Sequence, residues 1–129
     1  MHPPQIRLRI DFGPRCSLGP GKIALLEAIA ATGSLSKAAR RERMSYRRAW
    51  LLLADINTSF REAATESTTG GRGGGGMRVT AFGERLVVEF RTLERRVEAL
   101  GARRLAPLGA VARRGRRGAP AKSLKRSPR

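Results

Sequence analysis

The 129-residue chain carries 27 Lys and Arg against 10 Asp and Glu, a formal net charge of +17 at neutral pH. Such an imbalance points away from a small-molecule enzyme and toward a polyanionic partner, and the length allows one small domain with an appendage. A single Cys and a single His leave no intramolecular disulfide and no metal-ligand spacing, so no metal or other cofactor is expected and the lone thiol fits a reducing cytoplasm.

The charge is unevenly placed. Residues 101–129 hold ten Lys or Arg and no acid, leaving +7 for the first hundred residues. The chain therefore divides into a domain over residues 1–100 and a basic tail over 101–129, rich in Gly, Ala, Pro, Arg and Lys without periodicity and expected to be disordered. Its apolar stretches are broken by charge and fall short of the roughly 20 residues that span a bilayer. Pro3, Pro4, Arg7 and Arg9 stand where a signal peptide would be apolar, so a cytoplasmic protein with no membrane partner is expected.

In chain order, Ile6, Leu8, Ile10 and Phe12 alternate with polar residues, the period of an edge strand with one buried face. Gly13, Pro14 and the Gly19, Pro20, Gly21 cluster break it. A helical stripe of Ile23, Leu25, Leu26, Ile29 and Ala30 then spans about 20–32 and stops at Gly33. Ser34 can cap a second helix at about 35–42, with Ala38 and Ala39 small enough for close crossing, and Ser45 can cap a third at about 46–60. The third helix buries Ala49, Leu52, Leu53, Ile56 and Phe60, with Trp50 at the border of that stripe and assigned to the core.

Polar, β-prone residues 65–69, a loop from Gly70 to Gly76 and the run Met77–Thr80 read as a hairpin. Thr80 can cap a last helix at about 81–100. Its apolar positions Leu86, Phe90, Leu93, Val97 and Leu100 step by four, three, four and three, a heptad seam best buried against a second copy of the chain. The fold class is mainly α with a small β-sheet: a winged helix-turn-helix with a C-terminal dimerisation helix, working as a homodimer.

The stretch Gly33 to Ala39, the run Met44 to Trp50, the Gly-rich loop and Thr80 with Gly83 follow one another in an order that resembles the N-terminal DNA-binding domain of ModE-type molybdate-responsive regulators, relatives of the LysR-type winged helices. The strand ending Asp11, Phe12 and the Leu18–Leu26 region extend the resemblance over about residues 5–100. It implies promoter binding as a dimer through the first and last helices. Family members that sense molybdate do so through C-terminal domains, whereas this chain ends in a basic tail, so molybdate binding is not expected in it. The family usually has Leu and Gly where this chain has Glu42 and Arg43, and a left-handed Arg43 costs roughly 1 kcal/mol relative to Gly.

Double-stranded DNA is the expected partner. Ser45, Tyr46, Arg47 and Arg48 fill the first turn of the third helix, where side chains reach base edges, while Ser34, Ser36, Lys37 and Arg40, with Arg41, suit phosphates. Arg72 and Arg78 flank the wing. The Gly-rich loop lacks the Lys-Ser or Lys-Thr pair of a P-loop and leads into a strand, and no catalytic constellation is visible, so no enzyme is expected. Two alternatives to a sequence-specific regulator stand beside it: a nonspecific architectural or RNA-associated basic protein, and a single-domain switch responsive to an oxyanion.

Overall fold

The computed structural model describes residues 4–68 and 76–113. Its elements are β1 (Ile10–Gly13), β2 (Cys16–Leu18), α1 (Pro20–Thr32), α2 (Leu35–Arg41), α3 (Tyr46–Ser59), β3 (Thr65–Thr68), β4 (Gly76–Val79) and α4 (Ala81–Ala110). The molecule is mainly helical, with two separate two-stranded antiparallel sheets, β1–β2 and β3–β4.

Helices begin where the sequence offers an oxygen to an orphan amide. Ser34 Oγ accepts the Lys37 N–H at 3.1 Å, Ser45 Oγ the Arg48 N–H at 3.0 Å and Thr80 Oγ1 the Gly83 N–H at 3.0 Å, each a cap of the expected kind. Pro20 opens α1, its fixed φ already helical. Gly33 closes α1 in the left-handed region, φ 72°, with its N–H donated to Ile29 O at 2.7 Å.

The N-terminal strand differs from expectation. Residues 4–9 carry no regular structure, and β1 turns back through Pro14 and Arg15 to pair with β2, which holds Cys16. Gly13 thus ends β1 paired with Cys16, and Pro14 with Arg15 makes a hairpin turn instead of ending the sheet. Phe12 is exposed instead of facing the core, although its ring meets Phe60 edge-on at 5.6 Å and Phe60 meets Phe82 at 5.4 Å.

The main core joins Leu25, Leu26 and Ile29 of α1 with Leu35, Ala38 and Ala39 of α2 and Ala49, Leu53 and Ile56 of α3. Each buried Leu or Ile contributes about 1.5–3 kcal/mol, and the two alanines of α2 let the helices approach. A second cluster of Leu18, Ile23 and Phe90 fixes α4 against the first hairpin.

The β3–β4 hairpin is tied at both ends of its base. Asn57 of α3 accepts the Ala64 and Thr65 N–H groups on Oδ1, at 2.7 and 3.2 Å, and donates from Nδ2 to Thr65 Oγ1 at 3.0 Å. Met77 N–H donates to Gly33 O and Thr80 N–H to Ala64 O, both at 2.9 Å. A Cβ on Gly83 would stand 2.2 Å from Ala64 O, so only glycine permits α4 to start this close to β3.

The last helix revises two expectations. It continues to Ala110 rather than stopping near Leu100, and includes Pro107; residues 101–110 are therefore helix, not tail. Gly101 receives Ile6 from the N-terminal segment, whose Cδ1 would be 2.4 Å from a Cβ there. The seam also splits. Phe90 is buried in this chain's own core and Leu86 packs partly against it, whereas Leu93 and Leu100 are 43% and 55% exposed and Val97 is half-buried. Phe90 is thus a core residue and not a dimer contact, because heptad spacing says which face is apolar but not what covers it. Arg91 links α4 to α1, donating from Nη2 and Nε to Glu27 at 2.7 and 3.1 Å, and from Nη1 to Glu94 at 2.7 Å. These bonds, to Glu27 first and Glu94 second, hold its guanidinium above arginine's ordinary titration range.

Among the described residues no helix is long and apolar enough to cross a membrane. The Gly-rich loop with Arg72, and the tail beyond residue 113, lie outside the described residues.

Candidate nucleic-acid interface

Helices α2 and α3 each bury one side in the core and leave the other to solvent. On α2 the exposed residues include Ser36, Lys37, Arg40 and Arg41, and at the start of α3 they are Ser45, Tyr46, Arg47 and Arg48. Ser34 is half-buried beneath its cap bond. Between the helices, Arg43 adopts φ 57°, the left-handed conformation its place in the turn demands.

The starts of α2 and α3 carry cations without a nearby acid. Neither helix has an acid in its first turn, as is also true of α1, whereas α4 has Glu84 there. Two arginines next to the positive end of α3 are unfavourable until an anion approaches. Among the described residues, Lys37, Arg40, Arg47 and Arg48 make no salt bridge, like most of the other cations, whereas Arg9, Lys22, Arg78 and Arg91 do.

Asp55 is the sole carboxylate of α3, and it is engaged by the Lys22 ammonium, which also donates to Ser17 O at 2.9 Å. That nearly buried lysine joins β2, α1 and α3, fixing the azimuth of α3. A shallow depression lined by Ser45, Arg47, Arg48, Leu51, Leu52 and Asp55 lies on the same helix.

Two sequence-based assignments change. Trp50 is 52% exposed, beside Tyr46 at 55% and Leu51 at 49%, so it belongs to the outer face and not to the core. The buried set of α3 is Ala49, Leu53 and Ile56, with Leu52 and Phe60 only partly covered. Position 50 falls one helical step outside that set and four residues after Tyr46, a spacing that puts both rings on one side. On the hairpin, Arg78 is exposed but paired with Glu66, Nε to Oε2 at 2.7 Å, leaving less of its charge for an outside anion.

The described residues contain no group of three or more His, Cys, Asp or Glu able to hold a metal. The site offers cations, hydroxyls, aromatic surface and capped helix starts.

No family model matches the chain. It is similar to the transcriptional regulator ModE of Yersinia pestis, 42% identical over 83 residues, which is 64% of this chain and 32% of that protein. The molybdenum transport protein ModE of Herbaspirillum seropedicae is 45% identical over 73 residues, 57% of this chain and 27% of that protein. The DNA-binding transcriptional dual regulator ModE of Escherichia coli K12 is 35% identical over 83 residues, 64% and 32% respectively. The chain spans about a third of the length of these curated relatives. Over the matched stretch, which takes in more than half of its residues, the chain is similar to ModE regulators.

Proposed function

We propose that the chain is a sequence-specific DNA-binding transcriptional regulator whose domain is a winged helix-turn-helix. The carrying observation is the pair α2–α3, two Ser-capped helices whose Lys37, Arg40, Arg47 and Arg48 form no ion pair among the described residues and have no acid in either first turn. In this reading α3 enters the major groove, with Arg47 and Arg48 directed at base edges and Ser45 and Tyr46 at bases or phosphates. Ser34, Ser36, Lys37 and Arg40 hold phosphates and fix register, and the hairpin bearing Arg72 and Arg78 serves as the wing.

The molybdenum-related names of the relatives extend to this chain as the class of genes controlled. A second copy completes the regulator, meeting the first through the exposed part of α4 at Leu93, Val97 and Leu100, so that two recognition helices address a palindrome. The residues of the tail add sequence-independent attraction to phosphate.

The deciding measurement is affinity for a site enriched from random duplexes against affinity for scrambled DNA, as a function of salt. A preference of about a thousandfold or more supports a regulator. Equal affinities would establish instead the nonspecific basic protein that the net charge of +17 also accommodates.

A further inference from the structure

We infer that Trp50, with Tyr46 and Leu51 beside it, is a specificity-determining element that reads the 5-methyl groups of thymine in the major groove. This rests on the DNA-binding reading above and deepens it. The outward side of α3 carries Arg47, Trp50, Leu51, Ala54 and Thr58, positions three, four, seven and eleven residues beyond the first. Its cations stand at the N-terminal end, and its middle is apolar. Trp50 and Leu51 are each about half exposed, while Ala49, Leu53 and Ile56 of the same helix fill the core. Stability does not explain such a pairing, because exposed aromatic surface gains nothing from folding.

Charge complementarity selects the occupant. The apolar strip lies on the helix whose first turn holds Arg47 and Arg48 and which packs against the one bearing Lys37, Arg40 and Arg41, a setting that favours an anionic partner and disfavours a cationic one. Within a duplex the phosphates have no apolar surface. Guanine, cytosine and adenine present donors and acceptors to the major groove, and thymine alone adds a methyl group. Ala54, next on the same face, has only a methyl side chain, and the Thr58 hydroxyl is turned back to Ala54 O at 2.9 Å, so neither holds the helix away from the bases. An indole placed there removes a thymine methyl from water, an effect worth about fourfold in affinity per methyl.

The test uses the full chain and the duplex it enriches from a random pool. Each thymine of that duplex is replaced in turn by deoxyuridine, which deletes the methyl and keeps base pairing and charge. Wild type is expected to lose about fourfold at one or two positions. Trp50→Ala is expected to bind the thymine duplex less tightly and to show no further loss on deoxyuridine, with Trp50→Phe intermediate. Because Trp50 lies outside the core, unchanged circular dichroism and melting of Trp50→Ala confirm that the comparison is between folded proteins. Enrichment of a site at which every deoxyuridine is harmless overturns methyl readout and leaves DNA recognition standing, as does undiminished sensitivity in Trp50→Ala for the role of that residue. No enrichment at all would overturn the regulator reading itself.

Discussion

The carbonyl oxygen of Gly33 accepts the Met77 N–H at 2.9 Å, tying the turn that ends α1 to the strand β4, more than forty positions later. The same oxygen would stand 2.8 Å from a Cβ on Gly76. Two glycines are therefore required for different reasons. Gly33 needs a left-handed backbone, and Gly76 needs the absence of a side chain. Gly33→Ala is expected to cost about 1 kcal/mol. Gly76→Ala forces backbone apart and is expected to cost about 1–3 kcal/mol, with loss of hydrogen-exchange protection at Met77. Denaturant titration separates the two, and a neutral Gly76→Ala would show that β4 is not held as described.

Arg43 offers the opposite experiment. Its φ of 57° is one that glycine adopts without strain, so Arg43→Gly is expected to stabilise the fold by about 0.5–1 kcal/mol. For a domain of this size that raises the melting temperature by several degrees, about 4–8 °C per kcal/mol. Calorimetry showing a lower melting temperature would mean that the arginine side chain contributes more than its backbone strain removes.

Base readout by Arg47 separates from bulk attraction by salt. Arg47→Ala is expected to lower discrimination between enriched and scrambled DNA by about 1–3 kcal/mol, and an equal loss on both would remove it from base recognition. Since α4 continues to Ala110, a truncation meant to test the tail must fall after Arg113. Removing 114–129 takes away seven basic residues and is expected to reduce the slope of log K against log salt by about 0.9 for each phosphate no longer neutralised, leaving discrimination intact.

Leu93 and Leu100 are exposed on the described chain while Phe90 is not. Leu93→Glu with Leu100→Glu is expected to shift sedimentation to the monomer without changing the helical content. Phe90→Ala is expected instead to destabilise the fold by about 3–5 kcal/mol. Monomeric wild type at micromolar concentration would refute the assignment of α4 as the dimer contact.

Arg91 supplies a pH test. Its titration is displaced upward by Glu27 and Glu94, and a cation whose folded pKa exceeds its unfolded one keeps its full contribution at every pH below the unfolded value. Alkaline titration to about pH 10 is therefore expected to leave the α1–α4 link intact. Double-mutant cycles between Arg91→Met and Glu27→Gln are expected to give a coupling of up to about 1 kcal/mol, since both side chains are partly solvated. A melting transition that weakens from neutral pH to about pH 10 in wild type but not in Arg91→Met would contradict this.

What the sequence made legible was local chemistry. Ser34, Ser45 and Thr80 announced their caps because a cap needs only an oxygen and amides within three residues. The β1–β2 hairpin was hidden because Gly13 and Pro14 suit both an ending and a turn, and only pairing with Cys16–Leu18 distinguishes them. Phe90 and Leu93 share one heptad pattern yet have different surroundings, a difference made by Leu18 and Ile23 from elsewhere in the chain. For Trp50, a position at the edge of a helical stripe leaves burial to the depth at which α1 and α2 meet α3, which no periodicity encodes. The cations of α2 and α3 were legible as residues; their lack of ion pairs among the described residues was not.

Pro107 gives the long helix a seam of another kind. Proline has no N–H to donate to the carbonyl four residues earlier, and its ring crowds that carbonyl, so the ladder of α4 lacks a rung at Arg103. Ahead of it, α4 is anchored to α1 through Arg91 and to the core through Phe90. The long helix is thus held firmly along its first half, and its hydrogen-bond ladder is interrupted only near the far end, beyond both anchors.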